Sequence, residues 1–453
     1  MQFKKGLFIF RRDLRLDDNT ALMRALEECE SVIACFIFDP RQIDKNEYRS
    51  DNCVQFMIES LKDLEAQLEK KGDKLYMFYE KAEELVERLV KEEKIDAVYI
   101  NRDYTPFSKR RDAMIKKAAT KGKAAFVMCD DYLLIPPEQG VKSDGGPYTV
   151  YTPFFKNAKK FDVSKPTQNR RKNYYTKSIK QEDKKVYRKA LKKENDKLYV
   201  RGGRKNALKI LKKISKFKDY EKRREKLAEQ TTGLSAHHKF GTVSIRETYH
   251  AVKEALGEKH ALIGELYWRD FFTHIAFWFP EVFGQSFRKK YDKIKWENDK
   301  KKFKAWCEGK TGFPVVDAGM RQLNTTGYMH NRVRMIVASF LTKDLHIDWR
   351  WGEKYFAQKL VDYDPAVNNG NWQWAASTGC DAQPYFRIFN PWTQQEKFDP
   401  KGKYIKKWIG ELKGCEPKEI HRPEREPIEG YPTPMVNHKA ERERALKEYK
   451  RVA

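Results

Sequence analysis

Short apolar runs alternate with helical periods over the first 135 residues. The runs at 6–10, 32–38, 75–78, 97–101 and 125–129 are too short for helices and read as buried strands. Between the second and third, Val54, Met57, Ile58, Leu61, Leu64 and Leu68 recur at helical spacing, with Ser50 or Asp51 placed to cap. Ala82, Leu85, Val86 and Leu89 mark the next helix. Such alternation predicts an α/β domain over residues 1–135, a Rossmann-like parallel sheet covered on both faces. No GxGxxG follows the first strand, so ordinary dinucleotide binding at that turn is not expected.

From 136 to 206 the pattern dissolves into Pro, Gly, Lys and Tyr, which predicts a connector lying on the surface with Tyr148, Tyr151, Phe154 and Phe155 to bury. From 207 to 453 helical periods dominate and β-branched runs vanish, so an all-α domain is expected there. The tail after Pro423 alternates proline and charge and ends in a helix-like run of Glu, Arg and Lys. Gly309-Lys310-Thr311 looks like the end of a phosphate-binding loop. Lys304 stands where its first glycine belongs, however, and the context is helical.

Charge narrows the function. Against 65 acidic residues stand 92 basic ones, a net charge of +27, which favours a polyanionic partner. Nucleic acid comes first, and anionic membrane is weaker because no apolar run reaches a membrane span. The seven cysteines are scattered, with neither CxxC pairs nor a disulfide framework, and no metal cluster is expected. A monomer in a reducing, cytoplasmic compartment, associated with the nucleoid through DNA, is the expectation.

All ten tryptophans lie between Trp268 and Trp408. They accompany four clusters of polar residues. Thr231-Thr232-Gly233-Leu234-Ser235 precedes an apolar helix and offers donors to an anion, although such residues also cap helices without any ligand. Glu265 shares a helical face with Trp268 and Arg269, which suits a flat heterocycle and equally a surface ion pair beside a core tryptophan. Asn331 and Met335 share another face, with Arg332 and Arg334 on either side. Asp362-Tyr363-Asp364-Pro365 runs into a stretch, 368–379, whose glycines and paired asparagines predict irregular backbone close to a ligand.

These clusters, in this order, resemble the photolyase/cryptochrome family. Phe10-Arg11-Arg12-Asp13-Leu14-Arg15, Gly312-Phe313-Pro314 and Phe386-Arg387-Ile388-Phe389-Asn390-Pro391 extend the resemblance over nearly the whole chain. It implies an N-terminal antenna domain and a C-terminal helical domain holding U-shaped FAD. Tyr220, Thr231, Thr232, Leu234 and Ser235 would bind the diphosphate and ribityl region. Asp364 would face the polar edge of the isoalloxazine, Asn368 would sit near N5, and Arg334 and Asp362 would pair beside the ring. Trp372, Trp349 and Trp296 resemble the chain that photoreduces the flavin, whereas Trp306 and Trp351 do not match its positions.

Within the family, the pocket set resembles that of photolyases for cyclobutane pyrimidine dimers. Glu265 would hydrogen-bond the dimer, Trp268 and Trp374 would stack on it, and Asn331 and Met335 would contact it. Arg224 and Arg332 would hold flanking phosphates. The implied reaction is repair of UV-damaged DNA by one-electron transfer from light-excited, reduced anionic FAD to a flipped dimer. The alternatives are a six-four photolyase, which typically has a histidine where this chain has Asn331, and a cryptochrome signalling without repair. Leu262 stands where some relatives carry tryptophan. The stretch 101–107 departs from the folate-binding pattern, so a second, antenna chromophore has no assigned identity: deazaflavin, a second flavin or none.

Overall fold

The computed structural model describes every residue except 45, 184, 423–426 and 453. Five strands, β1 (Phe3–Phe10), β2 (Cys29–Ile37), β3 (Tyr76–Phe78), β4 (Ala97–Asn101) and β5 (Ala125–Cys129), form one parallel sheet in the order β3-β2-β1-β4-β5. Alternation along β1 explains its place at the centre. Leu7 and Ile9 enter one core with Ile33, Val98 and Ile100, while Phe8 and Phe10 enter the other with Ala34, Phe36 and Tyr99. Both faces are thus apolar and both are covered by helices. Ser50 caps the helix Asp51–Glu69 through Cys53 N, 3.3 Å away. The helices Thr20–Glu28 and Pro106–Lys121, which the apolar spacing did not single out, complete the cover.

The stretch 136–206 is held down along its length. Val32 N donates to Asn173 O and Tyr175 N to Val32 O, which extends the sheet by one bridge. Phe154 is fully buried in the short helix Tyr151–Ala158, and Tyr148, Tyr151 and Phe155 pack on the same core.

Among the described residues the rest of the chain is helical, apart from the turns between helices. None of its helices is long and apolar enough to cross a membrane. Gly309 is the left-handed cap of the helix Lys300–Glu308, and Thr311 donates to the buried Asp317, so the phosphate-loop lookalike is a helix-to-helix turn. The expected charged tail is the helix His438–Val452, docked by Tyr449 OH on Ala376 O at 2.6 Å. Part of the proline-and-charge stretch before it lies outside the described residues.

The sheet and the helical part lock together behind β1. Leu14 N donates to Phe240 O, and Gly241, at φ +60°, lets Arg12 O come so close that a Cβ would lie 2.2 Å from it. Buried Asp131 receives Arg15 at 2.5 Å and Arg246 at 2.9 Å, and Arg246 also pairs with Asp18 at 3.0 Å, so two carboxylates balance two guanidinium groups from distant segments at this seam.

Candidate active site

The helical part encloses a cavity of about 500 Å³. Of the residues expected at a site, all except Trp349 and Trp296 line it: Tyr220, Arg224, Thr231, Thr232, Leu234, Ser235, Glu265, Trp268, Asn331, Arg332, Arg334, Met335, Asp362, Asp364, Asn368, Trp372 and Trp374.

The expected irregular backbone at 368–379 is not what forms: Pro365–Ala375 is a helix, and only the residues after it turn. Pro365 opens it and Asp364 caps it, accepting from Ala366 N at 3.0 Å and Val367 N at 3.1 Å. Gly370 serves packing rather than turning. A Cβ there would lie 2.1 Å from Phe272 of the helix Ala261–Trp278, so the glycine admits close helix contact. The asparagine and glutamine amides reach outward to neighbouring carbonyls: Asn369 to Val282, Gln373 to Val282 and Gln285, Asn368 to Glu353. Tertiary contacts thereby overrule a composition that favours a loop.

Asp364 is the hub of the floor. Its carboxylate accepts from Tyr132 OH at 2.5 Å and forms an ion pair with Arg12, which reaches in from the loop after β1. Burial pushes this carboxyl up, but Arg12 and Lys239 outweigh it and hold it far below the usual carboxylate range. The Tyr132 ring lies between two guanidinium groups, Arg12 at 4.1 Å and Arg269 at 3.6 Å from its centroid. Arg269 does not pair with Glu265; it pairs with buried Asp270 at 3.1 Å. Burial also pushes Lys239 down to about 8.

Nearby, Arg334 pairs with Asp362 at 2.9 Å and stays cationic, and Ser235 Oγ donates to the same carboxylate at 2.7 Å. Asn368 Nδ2 donates to both Glu353 O and Glu353 Oε1 at 3.1 Å. Burial pushes the Glu353 carboxyl up to about 7, so this group exchanges its proton near neutrality. Thr231 Oγ bonds Tyr328 OH at 2.9 Å, and Gly233 at φ +69° starts the helix Leu234–Phe240.

The mouth is built differently. Glu265 accepts from Arg224 at 2.8 Å, and burial raises its carboxyl while Arg224 pulls it down. Arg332 is ion-paired with Glu225. One face of Trp268 is covered by Tyr151, whose ring stacks at 3.6 Å and 6°. Asn331 Nδ2 approaches Met335 Sδ at 3.9 Å. His330 is turned away: it is buried, caps its helix by accepting from Arg332 N at 3.2 Å, and is pushed down to about 4, hence neutral.

Trp372 and Trp349 are buried, and Trp296 is half-buried against Tyr449. Phe356 lies edge-on to Trp372 at 4.9 Å, and the tryptophan beside it is Trp306, edge-on at 6.2 Å. Residues not picked out by sequence reasoning are Arg12, Tyr132, Glu225, Lys239 and Glu353. Arg12 stood within a quoted motif without a role, and the others carried no local signal.

These residues suit FAD. Hydroxyls and a left-handed glycine sit at one end for an anionic tail, and Arg334–Asp362 and Asn368 offer polar groups to a flat ring. Phe356, Leu360 and Val367 supply an apolar wall.

Comparison with known proteins agrees. Residues 262–451 match the FAD binding domain of DNA photolyase, and residues 7–171 match DNA photolyase. A deoxyribodipyrimidine photo-lyase of Synechococcus sp. is 37% identical over 95% of this chain and 93% of its own length. The crystal structure of an archaeal photolyase from Sulfolobus tokodaii with two FAD molecules superposes with a TM-score of 0.91, at 46% identity over 99% of this chain and all of that one. A cryptochrome from Synechocystis sp. gives a TM-score of 0.90 at 29% identity, covering 98% of this chain and 99% of that one. The chain belongs to the DNA photolyase family, and its C-terminal part is an FAD-binding domain of that family.

Proposed function

We propose that this protein repairs cyclobutane pyrimidine dimers in UV-damaged DNA, using light. The observation that carries this reading is the mouth of the cavity. Glu265, Trp268, Trp374, Asn331 and Met335 converge there beside Arg224 and Arg332, while His330 is buried in a helix cap and kept neutral. A six-four enzyme would need that histidine at the lesion.

Bound in the cavity, FAD supplies light-driven one-electron donation. The chain's residues do the rest. Arg224 and Arg332 hold the phosphates that flank the lesion, and the overall charge draws the strand in. Trp374 and Trp268 receive the extruded dimer, a step that the general behaviour of base-flipping enzymes, photolyases included, leads one to expect. Glu265, its carboxyl raised, hydrogen-bonds the dimer's carbonyl edge and steadies the charge that develops there. Trp372, Trp349 and Trp296 carry electrons from the surface to the cavity wall. Tyr220, Thr231, Thr232, Leu234 and Ser235 hold the diphosphate end of the cofactor, and Arg334, Asp362, Asp364 and Asn368 the ring.

In this reading residues 1–135 form the antenna part, 136–206 the connector and 207–453 the catalytic part. A second flavin is the antenna we favour, because the structure of the Sulfolobus tokodaii photolyase contains two FAD molecules. A flavin-to-protein ratio near one would remove it.

The test is repair of an oligonucleotide carrying one thymine dimer by the anaerobically reduced protein, in blue light and in darkness. Light-dependent recovery of intact thymines is the expected result. FAD-loaded protein without repair would favour the light-receptor reading that the cryptochrome likeness suggests. Trp296→Phe should slow photoreduction and spare repair by chemically reduced protein.

A further inference from the structure

The cations at the mouth of the cavity already have anions of their own. The short helix Tyr220–Arg223 ends beside the opening, and the next two residues point in opposite directions. Arg224 reaches Glu265 at 2.8 Å, on the helix Ala261–Trp278. Glu225 reaches Arg332, on the helix Asn331–Ser339. Arg224 Nε also lies 4.0 Å from Glu225. Glu265, Arg224, Glu225 and Arg332 thus form a zigzag of alternating charge across the opening. Its formal sum is zero, in a chain carrying +27. The Arg332 guanidinium rests over the Phe398 ring at 4.7 Å, a seat that keeps it at the rim while it exchanges partners.

We propose that Glu225 is a specificity-determining residue: a built-in anion in the place of a DNA phosphate, which makes phosphate capture at the mouth conditional on filling the pocket. The inference rests on the repair reading above and deepens it. An undamaged duplex puts no base into the cavity, so its phosphate meets a neutral rim and must displace a carboxylate to reach either guanidinium. An extruded dimer supplies Glu265 with a new hydrogen-bond partner and so loosens Arg224. Arg224 can then share Glu225, 4.0 Å away, and Arg332 is released to a phosphate. The Arg224–Glu265 pair, 38% and 39% exposed, is weak and exchanges readily, while Arg332, 18% exposed, keeps Glu225 until Arg224 is free to share it. Lesion and phosphate recognition become coupled through one carboxylate.

The test is binding in the dark by the FAD-loaded protein. Two duplexes are compared over a range of salt, one with a single thymine dimer and one undamaged, for the wild type, Glu225→Gln and Glu225→Asp. Glu225→Gln should bind the undamaged duplex several-fold more tightly and the dimer duplex nearly as before, so preference for damage falls. Its log–log salt slope on undamaged DNA should steepen by about one, the signature of one more phosphate neutralised. Glu225→Asp, which keeps the charge, should behave as wild type. Glu225→Ala gives the same reading if the glutamine variant folds poorly. Unchanged preference and slope in the charge-neutral variants, or weaker binding of both duplexes, overturns the inference while leaving repair intact. A wild type with no preference for the dimer duplex removes the repair reading, and this inference with it.

Discussion

The floor and the mouth of the cavity use the same chemistry, carboxylate against guanidinium, to opposite ends. On the floor, Asp364 has 9% of its side chain exposed and holds Arg12, Tyr132 and two backbone N–H groups at once. At the mouth, Glu265 and Arg224 are 39% and 38% exposed and hold little besides each other. A buried carboxylate with every lone pair engaged is expensive to disturb, because any loss strands a charge. A half-exposed pair is screened and exchanges readily. Rigidity belongs where a cofactor must stay, and exchange where a substrate must enter and leave.

Substitutions can break this contrast. The largest effect is expected for Asp364→Asn, which leaves Arg12 with Asp103, 3.2 Å away, as its one remaining carboxylate partner. Removing one partner of a buried pair costs about 3–5 kcal/mol, read by thermal unfolding together with loss of bound flavin. Gly370→Ala should come next. A Cβ 2.1 Å from Phe272 must push the helices apart, at about 1–3 kcal/mol in unfolding experiments.

Glu353→Gln probes the floor by pH. Its raised carboxyl favours the folded chain when protonated, so that contribution is complete below about pH 4.3, the ordinary glutamate value. It declines as the pH rises and is lost above about 7. Wild type should therefore lose stability relative to Glu353→Gln between those values, and any pH dependence of the flavin spectrum near 7 should vanish in the variant. A parallel pH response in both proteins would place the titration elsewhere.

Glu265→Ala, at the mouth, should change stability by no more than about 0.5 kcal/mol and leave flavin bound. Repair per absorbed photon should nevertheless fall. If flavin and stability fall with it, the contrast between floor and mouth is wrong.

The sheet was legible because each strand is a short run bounded by turn or helix signals, and β4 and β5 match residues 97–101 and 125–129. The helix Pro106–Lys121 escaped notice because seven lysines, arginines and other charges hide its narrow apolar stripe. The stretch from Asn368 was misread as irregular because glycine and asparagine were taken at their local preferences. Gly370 answers instead to Phe272, and Asn369 to Val282 O, neither of which is near in sequence. The cavity residues were named through a family resemblance. Their long-range partners were not: nothing near Arg12 points to a carboxylate 352 positions away.

That last contact bears on how far the molecule could be shortened. Arg12 and Tyr132 belong to the sheet-bearing half of the chain, yet they complete the environment of Asp364 in the other half. A fragment cut to the helical half alone would keep every residue that lines the far walls and lose two groups beneath the helix Pro365–Ala375. Asp364 would keep Lys239 and the two helix N–H groups that it caps, but lose the groups that saturate its other oxygen. Trimming away the sheet-bearing part is thus no route to a smaller flavin-binding unit, and replacing it with a different domain requires carrying both side chains across.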